Sequence, residues 1–285
     1  MKTKSAHYLV KDYLVSSDDF EVNWNNDKQR AETKIPSGTD LNKYYQSKDY
    51  VSHKKAKTSL EDHIYFLVQQ IMHRFKKGVV KRHSSDKKLL DYGAGTGNFA
   101  RFMSDNAYKV YAVESNSRAL IIAANKGLTV FSDLKEVSFK VRFNVISLWH
   151  VLEHISDPEN TLLDLRSRLE KNGKLFVAVP NFKSYDSQYY KAFWAALDVP
   201  RHLWHFTTPG VQMLMDQSGF KMVAKYPLWF DALYISYLSE QHLGSRWPII
   251  RGFYIGLISN IKAFFSGEYS SLIYVFEEKP SFLED

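Results

Sequence analysis

The sequence contains no cysteine. Disulfide bonds, thiolate zinc sites and cysteine nucleophiles are therefore excluded. It also has no uncharged apolar run of about 18 residues, the length that a membrane-spanning helix requires. The basic N-terminal stretch carries no apolar segment of signal-peptide length, so we expect a cytoplasmic protein.

Acidic residues are fewer than basic ones, and the formal net charge is +7. Such a surplus favours anionic partners such as nucleic acid, phosphorylated metabolites or acidic membrane surfaces. No RNA-binding module is recognisable, so nucleic acid is not the expected partner. The chain has 285 residues, of which 45% are hydrophobic, enough for one large domain with additions.

Apolar, β-branched segments alternate with helix-like segments from residue 88 onward. The predicted strands are 88–93, 109–115, 128–133, 143–150, 174–181, 221–230 and 270–280. Near-continuous apolar strands that alternate with helices form parallel sheets covered on both faces. The predicted fold class is therefore α/β, Rossmann-like, with a mostly parallel sheet of seven strands and helices on both faces.

Two segments lie outside this pattern. Residues 1–85 are predicted to be an N-terminal accessory segment that forms a helical cap, with one helix at 59–75, and residues 86–285 form the main domain. Residues 229–270 are rich in aromatic side chains at helical spacing and predict a helical insert before the last strand. Further helices are predicted after Asp157, ending at Gly173, and after a Thr208 cap.

The stretch KLLDYGAGTGNFARF, residues 88–102, joins a strand to a helix through three glycines. Glycines let the backbone approach a ligand closely, and the amides at a helix start donate hydrogen bonds. Glu114 follows at the end of the next strand, where a carboxylate can accept both ribose hydroxyls. The pattern predicts an adenosine-type cofactor. The segment also satisfies the dinucleotide pattern G-x-G-x-x-A, but Asp91 in the strand end would repel a pyrophosphate and suits a cationic amino-acid tail.

The segments LLDYGAGTGNFA, VYAVESN and FNVISLWHVLEHISDPENTLLDLRSRLEKNGKLFVAVPN together resemble class I S-adenosylmethionine-dependent methyltransferases. The resemblance covers residues 88–228 and is closest to the bacterial group that includes quinone-biosynthesis enzymes. It implies that S-adenosylmethionine is the cofactor and S-adenosylhomocysteine the product.

The resemblance also implies a set of cofactor contacts. The methionine and ribose part would be held by Asp91, Gly93, Gly95 and Gly97, and the ribose hydroxyls by Glu114. Asp133 would face the adenine amino group with Leu134 beside the ring. The methionine end would be bordered by Leu148, Trp149 and His150. Residues 182–206 would cover the acceptor site.

The N-terminal stretch KDYLVSSDDFEV…LNKYYQSKDYVSH is similar to a segment that carries a cysteine zinc ribbon in relatives. Because this chain has no cysteine, any ribbon has lost its metal. The segment is then expected to serve as a cover over the active site.

Methyl transfer from a sulfonium is an in-line displacement, for which proximity and alignment matter most. A base is needed only if the acceptor must lose a proton. Without cysteine, pyrimidine carbon methylation through a covalent intermediate is excluded, and the strand end SLWHVLEH is not the turn that adenine N6 methylation uses. An oxygen atom of a small-molecule or lipid-like acceptor is therefore the leading target. An RNA methyltransferase, a non-catalytic cofactor-binding protein and an NAD-dependent enzyme are the alternatives.

Four residues are candidates for catalysis. His150 and His154 follow the fourth strand of the main domain, at the sheet edge where ligands bind, and either could be a base or a capping residue. Their H-x-x-E-H spacing also matches a zinc motif, but a strand precedes it and we expect no metal. Arg201 could clamp a carboxylate or phosphate, or pair with Asp198, and His202 could serve as a base.

The stretch RWPIIRGFYIGLISNIKAFF within the insert is bulky and apolar, broken by basic residues. It could pack as a core helix pair, form a dimer face, or lie on a membrane surface through residues 246–266. The oligomeric state stays open between monomer and homodimer.

Overall fold

The structure is a computed structural model that describes residues 7–45 and 60–280, with side chains from residue 66 in the second range. The main sheet has seven strands in the order β10-β11-β8-β7-β4-β5-β6. Their bounds are Lys88–Tyr92 for β4, Lys109–Val113 for β5, Thr129–Phe131 for β6, Phe143–Trp149 for β7, Leu169–Pro180 for β8, Phe220–Pro227 for β10 and Ser271–Glu278 for β11. β11 alone runs in the direction opposite to the other six strands of this sheet, so the predicted mostly parallel α/β sheet is confirmed.

The strand order reverses between β4 and β7. From β4 the chain builds outward through β5 to β6, and then returns to place β7 on the other side of β4. Ligands of open α/β sheets bind in the crevice at such a switch point, outside the carboxyl ends of the strands. The topology therefore predicts a ligand site among the segments that follow β4, β5 and β7.

Helices cover both faces of the sheet. Their bounds are Asn42–Tyr45 for α1, Leu60–His83 for α2, Asn98–Asp105 for α3, Ser117–Ala124 for α4, Pro158–Ser167 for α5, Tyr185–Tyr190 for α6, Thr208–Gln217 for α7, Trp229–His242 for α8 and Pro248–Ser266 for α9. Two apolar clusters fill the spaces between the sheet and its helices, one on each face. No helix in the described part of the chain is both long and apolar enough to cross a bilayer.

The N-terminal segment was predicted to be a helical cap. It begins instead with an antiparallel sheet. Strands β1 (His7–Lys11), β2 (Asp19–Asn25) and β3 (Arg30–Lys34) pair in sequence, and β9 (Trp204–His205) adds to β3. Because β9 belongs to the predicted cover segment 182–206, this small sheet joins the N-terminus to the region beside the candidate site. A third apolar cluster lies beneath it.

Four local predictions differ from the structure. The strand predicted at 221–230 ends at Pro227, and Trp229 and Phe230 belong to α8. The helix predicted at 59–75 continues through Gly78 to His83, because Val79 and Val80 are buried against the sheet; Ser59 lies outside the described residues. The helix predicted to end at Gly173 ends at Ser167, and β8 begins two residues later. The cap of α7 is Thr207, whose hydroxyl accepts from the amide of Gly210, and not Thr208.

The predicted helical insert before the last strand is a pair of helices, α8 and α9. Small residues allow their backbones to approach closely. A Cβ built on Gly252 would lie 2.5 Å from Cα of Tyr237, and one on Gly256 would lie 2.6 Å from the carbonyl oxygen of Ala232. Glycine at both positions is therefore required for this packing.

Candidate functional site

The turn between β4 and α3 has the geometry of a ligand cradle. Gly93, Gly95 and Gly97 all have positive φ, at 71°, 54° and 73°. A Cβ on Gly93 would strike Val151 at 2.5 Å and one on Gly97 would strike Leu128 at 2.7 Å, but one on Gly95 would meet nothing within 4 Å. The outer two glycines are thus fixed by packing, and Gly95 faces open space that a ligand can enter. The first turn of α3 has no side-chain cap, so its free amides are available to donate to a ligand.

Glu114 connects the end of β5 to this turn. Its Oε2 accepts a hydrogen bond from the amide of Gly95 at 2.7 Å, and its Oε1 accepts one from the amide of Asn116 at 2.7 Å. A carboxylate offers about four acceptor positions, so two remain for other donors. The predicted neighbours Glu114 and Gly95 are therefore brought together, in a position to accept a pair of ribose hydroxyls.

Asp91 lies at the buried end of β4. Its Oδ1 accepts a hydrogen bond from the hydroxyl of Ser147 on β7 at 2.7 Å. Burial raises the pKa of Asp91 to about 7, although Ser147 and the charge of Lys76 act in the opposite direction. The carboxylate thus lies between the two central strands, at the switch point, where a cationic group would stabilise its charged form.

The other predicted cofactor residues are divided between surface and core. Asp133 is exposed after β6 and accepts from the amide of Lys135 at 2.8 Å. Leu134 and Leu148 are buried in the apolar cluster on one face of the sheet, so their side chains serve packing. The indole of Trp149 packs edge-on to Phe99 at 5.1 Å between ring centroids.

Two polar atoms near the switch point stand out. The Nε1 of Trp149 is buried without a hydrogen-bond partner among the described residues. The Nζ of Lys76, from α2, lies 4.6 Å from the centre of the same ring. A buried donor without a partner indicates a place for a polar ligand group. This donor, the open space at Gly95 and the acceptor positions of Glu114 together fit an adenosine cofactor with a charged amino-acid tail.

His150 lies directly after β7 in a left-handed backbone conformation, with φ of 57°. Its Nδ1 lies 3.4 Å from Oε1 of Glu153, and its Nε2 lies 3.3 Å from Oδ2 of Asp231. Burial lowers the pKa of His150, but the two carboxylates outweigh it and raise the pKa to about 9. His150 is thus a protonated imidazole at neutral pH, and it holds Glu153 and Asp231 in place.

His154 has the opposite character. Burial and the neighbouring His202 lower the pKa of His154 to about 4, so its ring is neutral at neutral pH. Its Nδ1 donates to the carbonyl of Arg201 at 3.0 Å, which leaves Nε2 as an acceptor. The Nδ1 of His202 lies 2.8 Å from the carbonyl of Ala196, and the two imidazole rings lie 4.5 Å apart.

Glu153, His154 and His202 each offer a ligand atom within 4.8 Å of one another. Carboxylate and imidazole are ligands of divalent transition metals. Among the described residues, this is the group that could hold a metal ion. The expectation that no metal is used stays a prediction.

Arg201 is almost fully buried and engaged by two carboxylates. Its Nη2 lies 2.6 Å from Oδ1 of Asp198 and 3.3 Å from Oδ1 of Asp12 in the N-terminal segment. Asp12 also accepts from the amides of Leu14, Val15 and Ser16. Of the two interpretations from sequence, the pairing of Arg201 with Asp198 is the one that this geometry favours, and the guanidinium ties the cover segment to the N-terminal sheet.

Three neighbours of the site were missed by the sequence reasoning. Asp231 comes from the first turn of α8, Lys76 from α2, and Tyr45 from α1, where its hydroxyl donates to the carbonyl of Arg201 at 3.1 Å. Only tertiary structure brings Asp231 to His150, Lys76 to Trp149 and Tyr45 to His154. For Glu153, the H-x-x-E-H spacing was the signal that could have identified it.

The strand order, the glycine turn and the strand-end carboxylate define the class as a nucleoside-cofactor enzyme with the Rossmann-like methyltransferase topology. The family model described as a methyltransferase domain matches residues 62–225, more than half of the chain. The chain belongs to this family. The predicted class, the S-adenosylmethionine-dependent methyltransferases, is thereby confirmed, and the NAD-dependent alternative is discarded.

Curated relatives are similar over part of their length. The ubiquinone biosynthesis O-methyltransferase of Schizosaccharomyces pombe, a mitochondrial protein, is 25% identical over 104 residues, which are 33% of this chain and 38% of that protein. The enzyme of the same name from Glaesserella parasuis is 26% identical over 108 residues, 33% of this chain and 46% of that protein. The chain thus matches less than half the length of either relative.

Solved structures share the fold. A SAM-dependent methyltransferase of Thermotoga maritima has a TM-score of 0.52 and 19% identity, covering 77% of this chain and 95% of that one. The magnesium protoporphyrin IX methyltransferase of Synechocystis, solved with bound SAH, has a TM-score of 0.52 and 11% identity, covering 80% and 91%. At these identities, the similarity concerns the fold alone.

Proposed function

We propose that the protein transfers the methyl group of S-adenosylmethionine to an oxygen atom of a small, lipid-like acceptor. The observation that carries the proposal is the Glu114 carboxylate, held against the Gly95 amide at the end of β5. This is the edge of an open α/β sheet where a carboxylate binds ribose hydroxyls. The names of the two curated relatives support oxygen as the acceptor atom.

In this proposal, the chain supplies binding and alignment. Glu114 would hold the ribose, the Gly95 backbone would lie against the ribose and methionine part, and Trp149 Nε1 would donate to the amino-acid tail near Asp91. When bound, the cofactor supplies a methyl group on a sulfonium sulfur, which is a good leaving group. Alignment of the acceptor oxygen with that methyl group is then the main requirement for catalysis.

The two histidines of the sequence prediction take different roles here. An acceptor hydroxyl must lose a proton on methylation, and a base for it must be unprotonated at neutral pH. His154 is neutral, but with its pKa lowered to about 4 it is a weak base. Because its Nδ1 is bonded to the Arg201 carbonyl, its Nε2 would accept a hydrogen bond from the acceptor hydroxyl, whose proton would pass to water as the methyl group is transferred. His150, with its pKa raised to about 9, is charged and positions Glu153. We therefore assign His154 as the residue that orients the acceptor hydroxyl and His150 as a positioning residue.

Calorimetric titration with S-adenosylmethionine and S-adenosylhomocysteine, with NAD as a control ligand, tests the cofactor. Glu114→Ala should weaken binding by about 1–3 kcal/mol, because hydrogen bonds to a charged group are lost. Glu21→Ala removes an exposed carboxylate from β2 and should leave affinity unchanged. If the Glu114 variant and the wild type bound the cofactor with equal affinity, Glu114 would not hold the ribose.

Transfer of a labelled methyl group to a panel of phenolic and catecholic lipids tests the reaction. His154→Gln should keep cofactor affinity and lower turnover by up to about 10²-fold, the cost of misplacing the acceptor oxygen. Assays with EDTA and with added divalent metal should accompany it, because Glu153, His154 and His202 could hold an ion. Normal cofactor affinity with no transfer to any acceptor would instead favour a non-catalytic cofactor-binding protein.

A further inference from the structure

The helix α9 turns its large apolar side chains outward and its small ones inward. Six of the outward residues are Ile250, Phe253, Tyr254, Ile261, Phe264 and Phe265, which we name the outer face. Phe264 is 76% exposed and Phe265 is 83% exposed. Side chains at such spacing form one stripe along a helix. A helix in contact with water on this side would normally present polar residues there.

The orientation of α9 is fixed by its inward side. Gly252, Gly256, Ser259 and Ala263 are buried against the rest of the protein. Because a Cβ at either glycine would lie within about 2.6 Å of the α8 backbone, no other face of α9 can take this position. The outer face therefore does not belong to the core helix pair, and its side chains are exposed in the described part of the structure.

The charge around the outer face indicates the kind of partner. No Asp or Glu occurs between Glu240 and Glu268, whereas Arg246 and Lys262 lie near the two ends of α9. Lys183 and Lys191 are exposed on the neighbouring α6 region. An apolar, aromatic stripe bordered by basic residues is complementary to an anionic lipid surface, where aromatic rings lie at headgroup level.

A second copy of the chain is a weaker candidate. In a two-fold dimer, the same surface meets itself, so the basic border of one copy would face that of the other. Like charges opposed across an interface are unfavourable. An anionic bilayer instead neutralises them.

We propose that the outer face of α9 lies in the interface of an anionic lipid bilayer, with the helix parallel to the membrane plane. The position of α9 connects this surface to the candidate site. Asn260 Nδ2 donates to the carbonyl of Trp229 at 2.9 Å, and α8, which begins at Trp229, carries the Asp231 that contacts His150. The outer face is thus linked to the site through a neighbouring helix, and delivery of a lipid-like acceptor from the bilayer rests on the proposed function, whereas bilayer binding itself does not.

Co-sedimentation with vesicles tests the proposal without cofactor or acceptor. Phosphatidylcholine vesicles with and without phosphatidylglycerol are compared for the wild type and for the double variant Phe264→Glu with Phe265→Glu. Ile121→Glu is the matched control, because Ile121 is 57% exposed on α4, away from the insert. Circular dichroism melting and S-adenosylhomocysteine binding report whether each variant is folded.

The expected result is binding to the vesicles that contain phosphatidylglycerol, weakened by salt. The double variant should bind about tenfold or more weakly, since two exposed aromatic side chains no longer enter the interface. The Ile121 variant should bind as the wild type does. Arg246→Gln with Lys262→Gln should lower binding to the anionic vesicles only.

Three results would overturn the proposal. One is no sedimentation with either vesicle type, and another is equal binding by the wild type and the folded double variant. The third is a dimer in solution that the double variant converts to a monomer, which would assign the outer face to a second copy. Because cofactor titration is measured separately, failure of bilayer binding leaves the proposed methyl transfer to its own test.

Discussion

At the scale of single residues, two histidines that are four positions apart differ in their environments. His150 has carboxylates on both ring nitrogens, whereas His154 has a backbone carbonyl on one nitrogen and another imidazole nearby. The sequence alone could not separate them, because Asp231 reaches His150 from a helix far along the chain. In our proposal, the two histidines after one strand end therefore have different roles, one orienting the acceptor and the other positioning carboxylates.

The charge of His150 predicts a pH dependence of stability. A group whose pKa is raised on folding stabilises the protein fully below its unfolded pKa of about 6.5, and this stabilisation is lost as pH rises through the folded value of about 9. We expect the loss to be about 1 kcal/mol, because a third of the side chain is exposed to screening solvent. Urea unfolding midpoints across this pH range measure it.

Comparison with variants isolates the contribution of His150. His150→Gln should be less stable near neutral pH and should lack this alkaline decline. His7→Gln, which removes an exposed imidazole from β1, should keep the decline. Parallel pH curves for the wild type and the His150 variant would contradict the ion pairs with Glu153 and Asp231.

At the scale of elements, the glycine turn was predictable because all three glycines have positive φ, and packing also requires glycine at Gly93 and Gly97. The position of Glu114 at a strand end was likewise predictable from the strand pattern. The length of α2 was not predictable, because Gly78 costs only about 1 kcal/mol in a helix and burial of Val79 and Val80 offsets it. The end of α5 was not predictable, because the segment LEKNG has the composition of a helix end although it forms the start of β8.

The three glycines of the turn should not respond equally to substitution. Gly95 and Gly97 both have positive φ, so alanine is strained at either position. Only at Gly97 would the new methyl group also strike Leu128 and Ala123. We expect Gly97→Ala to be less stable than Gly95→Ala by about 1–3 kcal/mol, the cost of overpacking, as measured by urea unfolding.

The same pair of variants separates stability from binding. Gly95→Ala should remain folded and bind S-adenosylhomocysteine more weakly, because its methyl group occupies the open space before the turn. Equal losses of stability at the two positions would mean that backbone strain alone determines the cost. If Gly95→Ala bound S-adenosylhomocysteine with unchanged affinity, the ligand would not bind at this turn.

At the scale of the whole molecule, the main sheet was predictable and the N-terminal sheet was not. The strands β4 to β8 are apolar and flanked by helix signals, so local pattern and tertiary role agree. The strands β1 to β3 are short and polar, and they become a sheet by pairing with each other and with β9. Their stability therefore comes from contacts with the cover segment 182–206, which no local pattern encodes.

The buried pair of Asp12 and Arg201 is one of these contacts, and its removal should loosen the N-terminal sheet. Asp12→Ala leaves Arg201 with Asp198 alone and frees the amides of residues 14–16. Because Arg201 keeps Asp198, we expect the loss of stability to be smaller than the about 3–5 kcal/mol of a buried charge left without a partner. Hydrogen exchange should rise in β1 to β3 and β9 well before it rises in β4 or β7, since the main sheet has its own core.

A matched variant and a second readout determine what the N-terminal sheet does. Asp27→Ala removes an exposed carboxylate from the turn between β2 and β3 and should leave exchange unchanged. If the sheet acts as a cover, Asp12→Ala should keep affinity for S-adenosylhomocysteine, which binds at the ends of β4 and β5 in our proposal, and should weaken acceptor binding as a raised KM. Uniform exchange over the whole chain would instead mean that the two sheets unfold as one unit, and that the N-terminal sheet is part of the core rather than a cover.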